Sequence, residues 1–333
     1  MTVMLGIESL KGVLGMRDAI DLLEEVLSHE GAGKTFVSPK NVTDFEGGSM
    51  RILFAADYQA GYFATKAYHS IQGVGTRYVV SLYRLKDGEL LAQLDGQLIT
   101  DLRTGAASGV IARKVQVASP VSVGIIGSGN QARAQLESLA AVYRVEAAAV
   151  FSPTAANRQA FAREMSAQLG IAVTSVDSAE AAVRGRAVVA TASSSRSSEP
   201  ILRGEWLDRC RLLCAVGNTR RQFAEVDVRC FRDAALVVVD SSHAIEEAGD
   251  LRRAVESGAM PETKRATLAQ IVTGAVAVPR EGLVAFKSVG TALQDLAVAA
   301  RYYELLGTRA GLPSASDLAS LRAPARASGQ ARR

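Results

Sequence analysis

Two glycines, Gly127 and Gly129, stand two positions apart in the segment VGIIGSGNQARAQL, between an apolar run and a polar run with helical character. In a strand–turn–helix context the first glycine allows a tight turn, and the second lets the backbone approach a pyrophosphate at the positive helix N-terminus. Ala132 replaces the third glycine of the usual G-x-G-x-x-G pattern, and alanine is accepted there because that position only packs helix against strand. The segment therefore predicts a dinucleotide site. Its expected phosphate contacts are Gly127, Ser128, Gly129, Asn130 and Gln131.

The end of the next apolar run indicates which dinucleotide is bound. Enzymes that use NAD usually carry Asp or Glu there for the ribose 2′-hydroxyl, but the sequence AVFSPTAANR contains no acid. Ser152, Thr154 and Arg158 offer hydroxyls and a guanidinium, which would bind a 2′-phosphate. We expect NADP(H), with NAD(H) as the alternative, and Arg158 could equally belong to a solvated helix face.

Apolar, β-branched runs recur through the middle of the chain, and helical stretches separate the first four of them. The runs cover 121–126, 146–151, 171–176, 186–192, 211–217 and 234–240. Continuous apolar strands that alternate with helices are typical of a parallel sheet covered on both faces. Six such strands predict a doubly wound Rossmann fold.

The first 115 residues have a different pattern. A helix is expected over 16–33, and turn-punctuated strands follow, among them a hairpin of 78–85 with 89–96 joined by the turn KDG. A further amphipathic helix, over 293–307, is expected to return to this part of the chain. The predicted fold class is α/β, with a Rossmann domain at 116–300 inserted into an α+β substrate-binding and dimerisation domain. That second domain is formed by 1–115 plus 301–321, and a basic tail at 322–333 is expected to be disordered.

Composition and charge exclude several classes of protein. The formal net charge is +4, but residues 314–333 alone hold four arginines and one aspartate, so the rest is nearly neutral and no nucleic-acid groove is indicated. No apolar run approaches the roughly 20 residues that span a bilayer, and a signal-peptide layout is lacking, so a cytoplasmic protein without a membrane partner is expected. Cys210, Cys214 and Cys230 are interpreted as buried thiols, and the three histidines are scattered, so no metal is expected.

Two short motifs flank the predicted Rossmann strands. The string RTGAAS covers 103–108, before the glycine turn at Gly127, and SVGTALQDLA covers 288–297. With these motifs, the segment from about Gly61 to Tyr303 resembles the ornithine cyclodeaminase/mu-crystallin family. The resemblance implies a homodimer, a nicotinamide cofactor, and an amino or imino acid substrate whose carboxylate is held by basic residues. Further cofactor contacts are then expected at Thr191, Ala192, Ser193, Val216, Gly217 and Gly290.

The resemblance assigns the substrate clamp to two basic residues. Lys66 in YFATKAY matches the family's substrate lysine, and Arg103 in LRTGAAS matches its carboxylate-binding arginine. Arginine offers a carboxylate a planar fork and lysine a point charge, whereas an unpaired charge in a largely apolar strand is unusual. A structural ion pair is the alternative interpretation. A third basic residue is expected nearby, either Lys40 in VSPKNV or Arg51 in SMRILFA.

One position departs from the family pattern. Ornithine cyclodeaminases carry an acid/base aspartate after the fifth strand, where we align Asn218 of AVGNTRRQF. An amide forms hydrogen bonds but neither takes nor gives a proton at neutral pH, so ornithine cyclisation is disfavoured. Arg220 and Arg221 follow at once, and are expected to meet an acidic substrate group or the cofactor phosphate, or else to be surface charges.

The sequence thus predicts an NAD(P)H-dependent oxidoreductase that reduces a 2-imino acid to an amino acid, or catalyses the reverse oxidation. Lys66, Arg103 and Asn218 are the expected catalytic positions, and a Lys66 whose pKa is lowered by burial would supply a proton. Asp295 and Thr291 are expected either beside the nicotinamide or as groups that position their helix. The alternatives are a cyclodeaminase that recycles its NAD and a non-catalytic, crystallin-like ligand-binding protein.

Overall fold

The computed structural model describes residues 2–309 and 311–315. The elements that precede the parallel sheet are β1 (Thr2–Leu5), α1 (Ile7–Leu10), α2 (Met16–Gly31), β2 (Thr35–Val37), β3 (Asn41–Phe45), β4 (Gly48–Asp57), β5 (Tyr62–Ile71), β6 (Gly75–Arg84), β7 (Leu90–Asp95) and α3 (Gly96–Lys114). The following elements are β8 (Val121–Ile126), α4 (Asn130–Val142), β9 (Val145–Phe151), α5 (Ala155–Leu169), β10 (Ala172–Ser175), α6 (Ala179–Val183), β11 (Val188–Thr191) and β12 (Leu212–Ala215). The last are α7 (Val228–Arg232), β13 (Ala234–Val239), α8 (Ala244–Glu247), α9 (Gly249–Glu256), β14 (Arg265–Thr267), α10 (Leu268–Val272), β15 (Leu283–Lys287), α11 (Ala292–Leu306) and β16 (Ser314–Ala315), with 3-10 turns at Gly204–Trp206 and Glu262–Lys264.

The first sheet has the strand order β16-β1-β7-β6-β5-β4-β2, and β3 pairs with the first half of β4, Gly48–Ile52. Strands β4 to β7 form an antiparallel meander. Its last hairpin, β6–β7, is the one that the KDG turn predicts. Helices α2 and α3 pack together beside this sheet, because apolar residues at helical spacing, such as Ala19 and Leu23, give α2 one buried face.

The second sheet is parallel throughout and has the order β10-β9-β8-β11-β12-β15-β13-β14. Every residue of β11 and β12 is buried, as expected for strands covered by helices on both faces. The predicted Rossmann-like α/β fold is therefore confirmed, and the six predicted strands are β8 to β13. Two further strands, β14 and β15, were not predicted. The first has only three residues, and the second inserts between β12 and β13, outside the regular strand–helix alternation.

Helix α11 leaves the parallel sheet after β15 and packs against α2, α3, β4 and β5. It ends at Leu306, where Gly307 caps it, in agreement with the predicted end. The division into domains at residues 115, 116 and 300 stays a prediction. The tail predicted at 322–333 lies outside the described residues, as do 316–321 of the second domain.

The register of the meander decides which side chains share a face. Leu53 lies opposite Lys66, and Arg51 lies opposite Tyr68. Since side chains alternate along a strand and directly opposite residues point the same way, these four residues share one face. That face looks toward the carboxyl ends of the parallel strands.

The other face of the meander carries a row of aromatic rings. Phe36, Phe54, Phe63 and Tyr83 follow one another with centroid separations of 5.8, 5.9 and 4.7 Å. Ile52 and Val79 lie on the same face and are nearly half-exposed. A monomer thus presents an apolar, aromatic surface on this side of the first sheet.

No helix in the described part of the chain combines the length and apolarity that a bilayer crossing requires. Within residues 2–309 and 311–315, no group of three or more His, Cys, Asp or Glu could hold a metal ion. Cys210, Cys214 and Cys230 are buried, free thiols, as predicted.

Candidate active site

A cavity of about 200 Å³ lies between the meander and the carboxyl ends of the parallel strands. The residues named from the sequence that line it are Lys40, Arg51, Lys66, Arg103, Gln131, Val216, Arg220, Gly290 and Asp295. The other lining residues are Leu53, Tyr68, Tyr78, Thr100, Thr104, Thr219, Ser288 and Val289. Open parallel sheets bind ligands at their carboxyl edge, so this cavity is the candidate active site.

Lys66 is fully enclosed at the centre of the cavity wall, with 2% of its surface exposed. Its Nζ donates to Thr100 Oγ1 at 2.6 Å and to Asp295 Oδ1 at 2.7 Å. Burial lowers the pKa of Lys66 to about 8; the carboxylate of Asp295 opposes this shift and the positive charge of Arg103 adds to it. The lysine is therefore able to exchange a proton near neutral pH.

Asp295 is the counter-ion that Lys66 shares with Arg103. It stands in the first turn of α11 and is buried, and its Oδ1 accepts from Arg103 Nε at 3.3 Å as well as from Lys66. The sequence leaves the role of Asp295 open, and in the structure this residue pairs with both basic residues of the predicted clamp. Thr291 instead caps α11, where its side chain accepts from Gln294 N. One carboxylate against two cations leaves a positive charge in the cavity, which suits a carboxylate ligand.

The loop between β15 and α11 supports Arg103 from the other side. Gly290 has φ +77°, and a Cβ at this position would lie 2.5 Å from Arg103 Nη1, so glycine lets the guanidinium lie directly on the backbone. Asp240, at the end of β13, accepts from Val289 N at 3.0 Å and from Gly290 N at 2.8 Å. Gly290, predicted as a cofactor contact, also shapes the arginine site.

Both candidates for the third basic residue line the cavity. Lys40 forms an ion pair with Glu247 at 2.6 Å and donates to the carbonyl of Val289 at 3.1 Å. Arg51 donates to Ser49 Oγ at 3.1 Å and stacks over the ring of Tyr68, 5.5 Å from its centroid. Of the two, only Lys40 has a carboxylate partner among the residues that the structure describes.

The glycine turn joins β8 to α4. Gly127 has φ +116°, and a Cβ there would lie 2.5 Å from the carbonyl oxygen of Ala192, so the turn packs directly on the loop after β11. The Cβ position of Gly129 faces open space. Asp101 of α3 accepts from the side chains of Asn130 at 3.3 Å and Gln131 at 2.6 Å. An open approach to an N-terminus with unpaired N–H groups fits a dinucleotide phosphate.

The segment after β9 contains the residues predicted to select the dinucleotide. Ser128 Oγ donates to Ser152 Oγ at 2.9 Å, which links the glycine turn to this segment. Arg158 donates to the carbonyl of Ser152 at 3.2 Å and pairs with the exposed carboxylate of Asp177 at 2.5 Å. Thr154 is the N-cap residue of α5 and makes no side-chain capping hydrogen bond. No acidic residue stands directly after β9.

Glu225 ties together the loops that follow β11 and β12. This buried carboxylate accepts from Ser193 N at 2.6 Å and from Gly217 N at 2.8 Å. Thr191 Oγ1 and Ser193 Oγ are buried and lack a hydrogen-bond partner within the described chain. Buried hydroxyls normally find partners, so a dinucleotide lying along these strand ends fits the groups present.

Asn218 is not among the residues that line the cavity. Its Oδ1 accepts from Arg220 N at 3.0 Å, and its carbonyl oxygen accepts from Lys287 Nζ at 2.6 Å. The next residue, Thr219, lines the cavity instead. The side-chain nitrogen of Asn218 is buried and has no hydrogen-bond partner within the described chain, and the catalytic role of this residue stays a prediction.

The fold and the site define an α/β protein of the Rossmann type, with a cationic cavity at the carboxyl edge of its parallel sheet. Residues 1–309 match the ornithine cyclodeaminase/mu-crystallin family. The chain belongs to this family, as its RTGAAS and SVGTALQDLA motifs predict.

Three similar proteins illustrate the relationship. Alanine dehydrogenase of Archaeoglobus fulgidus is 30% identical over 312 residues, which are 91% of this chain and 94% of that protein. The structure of Thermococcus litoralis Δ1-pyrroline-2-carboxylate reductase with NADH and L-proline matches with a TM-score of 0.85 at 29% identity, covering 91% of this chain and 97% of the other. An archaeal alanine dehydrogenase dimer with bound NAD matches with a TM-score of 0.83 at 27% identity, covering 91% and 95%.

Several residues of the site escaped the sequence analysis. Tyr78 and Thr100 contact Lys66, and Glu225 and Asp240 anchor the loops around it. Asp240 follows an apolar strand in AALVVVD, so its position at a carboxyl strand end was a usable signal. The sequence contains no comparable signal for Tyr78 and Thr100, because aromatic residues in strands and threonines in helices are common in any core.

Proposed function

We propose that this protein is an NAD(P)H-dependent oxidoreductase that reduces a 2-imino acid to an amino acid, or catalyses the reverse reaction. The observation that carries the proposal is the buried cluster of Lys66, Arg103 and Asp295 in one cavity with Gln131 and Gly290. The similarity to an amino acid dehydrogenase and to an imino acid reductase supports the same chemistry.

Each group of the cluster has a distinct task in this proposal. Arg103 binds the substrate carboxylate, since Gln294 and Asp295 leave part of its donor fork free. A bound, reduced nicotinamide cofactor supplies the hydride that adds to Cα. Lys66 Nζ donates the proton that the imine nitrogen acquires, and Asp295 keeps the lysine oriented between Thr100 and the cavity. Tyr68 and Tyr78 line the cavity beside Lys66, with their rings 5.8 and 5.2 Å from Nζ.

The same proposal includes a preference for NADP(H). Ser152 and Arg158 after β9 offer donors and no carboxylate, which favours the 2′-phosphate. The contact with exposed Asp177 leaves Arg158 able to exchange partners. NADH is the alternative reductant, and the oxidation assay described next compares NADPH with NADH.

The direct test is an oxidation screen with NADPH and NADH. Purified protein is given 2-oxo acids with ammonia, methylamine or amino acids, and cyclic ketimines, and nicotinamide absorbance is followed. Steady consumption of reduced cofactor supports the proposal. Ammonia release from ornithine or lysine without a lasting absorbance change would instead indicate a cyclodeaminase. Tight cofactor binding without turnover of any of these compounds would indicate a ligand-binding protein.

The rate of reduction is expected to fall as the pH rises through about 8, the pKa of Lys66. Below that pH Nζ is protonated and can donate; above it the neutral amine cannot, so log kcat/KM, which reports ionisation of the free enzyme, should decline toward a slope of −1. The sign reverses for oxidation of the amino acid, where the neutral amine is the required base. Steady-state kcat/KM, measured from pH 6 to 10 in both directions, tests this, and parallel profiles in the two directions would contradict it.

We also propose that two copies of the chain associate through the aromatic face of the first sheet. Ile52 and Val79 are nearly half-exposed on that face beside the row from Phe36 to Tyr83. Exposed apolar surfaces of this kind mark association sites, and the similar archaeal alanine dehydrogenase is a dimer.

The double variant Ile52→Glu, Val79→Glu is expected to be monomeric, because four carboxylates would be buried at a two-fold interface and like charges cost several kcal/mol. Light scattering coupled to gel filtration measures the mass of each variant. We expect the dimer dissociation constant of the double variant to rise about 100-fold or more. Leu305→Glu is the matched control: Leu305 is an exposed apolar residue near the end of α11, outside the first sheet. A double variant that stays dimeric refutes this interface.

A further inference from the structure

The cavity holds more positive charge than one carboxylate requires. Its lining includes five cationic side chains, those of Lys40, Arg51, Lys66, Arg103 and Arg220, and one acidic side chain, that of Asp295. Lys66 and Arg103 share Asp295, and Lys40 has Glu247. Arg51 and Arg220 form no ion pair with any residue in 2–309 or 311–315. Two cations are thus left over after the amino or imino acid carboxylate is bound.

Arg51 is buried although it lacks a charged partner. Only 8% of its surface is exposed, and its guanidinium meets Ser49 Oγ and the ring of Tyr68. Neither contact neutralises the charge, and enclosing an uncompensated charge is unfavourable. A buried arginine at a cavity wall without a carboxylate therefore indicates a missing anion.

Arg220 approaches from the loop after β12, across the cavity. Its pKa is lowered by partial burial and by the like charges of Arg51 and Arg196, while Asp44 opposes this effect. Arg51 and Arg220 consequently repel each other across the same space. An anion between them would relieve this repulsion and use both donor forks.

The spacing separates this pair from the clamp. Arg51 lies opposite Tyr68, two residues along the strands from the Leu53–Lys66 pair, which corresponds to roughly 7 Å. The Tyr68 ring stands between the two cations, 5.5 Å from the Arg51 guanidinium and 5.8 Å from Lys66 Nζ. A single carboxylate cannot bridge both positions, but a short molecule with two acidic groups can.

We infer that the substrate carries a second carboxylate, bound by Arg51 and Arg220, in addition to the one held at Arg103. The substrate class is then a dicarboxylic imino acid, with the second acid either on the carbon side chain or on the nitrogen substituent. This inference rests on the proposed function.

The test compares substrates of matched length. Imines formed from ammonia with oxaloacetate or 2-oxobutanoate report on the side chain, and imines formed from pyruvate with β-alanine or propylamine report on the nitrogen substituent. We expect kcat/KM to favour the dicarboxylic member of at least one pair by about 10- to 100-fold, and Arg51→Met and Arg220→Met to collapse that ratio. Arg301→Met is the matched control and should keep it, since Arg301 is exposed on α11 and pairs with Glu304.

Two further measurements separate the possible failures. If no imine is reduced, the proposed function fails, but the second anion site can still be tested by itself. Calorimetry then compares the binding of succinate with that of butyrate. Tighter binding of succinate, lost in Arg51→Met, supports the site. Affinity for NADPH should be the same in Arg51→Met, Arg220→Met and wild type. Equal kcat/KM within both substrate pairs, an unchanged ratio in both variants, or a loss of NADPH affinity would overturn the second-carboxylate site.

Discussion

Replacement of Lys66 by methionine is expected to lower kcat for imine reduction by about 10²- to 10⁴-fold, the range that a positioned general acid contributes. The loss should persist at saturating substrate, because Arg103 still binds the carboxylate and the missing function is proton donation. The fold should tolerate the change, since methionine fills a similar volume and removes a buried cation whose pKa is already depressed. Asp295 keeps Arg103 as its partner.

Three measurements define this result. Steady-state kinetics give kcat, a thermal melt shows that the variant folds, and the pH profile should lose its decline above about pH 8. Thr100→Val is an informative companion, because it removes one hydrogen bond to Nζ and leaves the ion pair with Asp295 in place. If Lys66→Met retains most of the wild-type turnover, Lys66 is not the proton donor.

Alanine substitutions at Gly127 and Gly129 are expected to differ in their effect on folding: the first should destabilise the protein and the second should not. In Gly127→Ala the new Cβ would meet the Ala192 carbonyl oxygen at 2.5 Å, at a φ of +116°. The obstacle is backbone rather than a flexible side chain, so we expect the free energy of unfolding to fall by about 3 kcal/mol or more. In Gly129→Ala nothing lies within 4 Å of the new Cβ, so folding should be unaffected.

The two variants should differ from wild type in dinucleotide binding for different reasons. Gly129→Ala fills the open space through which a pyrophosphate would approach, and we expect its dissociation constant for NADPH to rise at least about tenfold. Gly127→Ala should bind weakly because the turn itself is displaced. Chemical denaturation and fluorescence titration with NADPH separate the effects. A stable Gly127→Ala protein, or a Gly129→Ala protein that binds NADPH normally, would contradict this account of the turn.

The parts of the fold that the sequence predicts well are those specified by local pattern. Strands β8, β9 and β11 to β13 are mostly apolar runs, and the glycine turn, the KDG hairpin and the end of α11 at Gly307 each rest on a few adjacent residues. Such signals do not depend on the rest of the chain. Strand β15 escaped because its place in the sheet, between β12 and β13, follows from distant pairing partners.

The site was predicted less completely, because its decisive contacts join residues far apart in sequence. The residue types of Lys66 and Arg103 suggest a clamp, but only the folded chain brings Asp295 between them. Thr219, one residue after the predicted Asn218, lines the cavity, and only the conformation of this loop shows that. The buried anchor Glu225 binds the backbone N–H groups of Ser193 and Gly217, and such partners carry no mark in the sequence.

The ion pair between Lys66 and Asp295 joins residues 229 positions apart, and this separation has a consequence for biosynthesis. A chain growing on the ribosome can form the meander and then the whole parallel sheet while Lys66 still lacks its counter-ion. Only when α11 has left the exit tunnel can the clamp close. A product truncated before α11 would retain the glycine turn but lack both the counter-ion of Lys66 and the helix that packs against β4, β5, α2 and α3, and losing one partner of a buried ion pair is strongly destabilising. A stable fold thus depends on translation reaching α11.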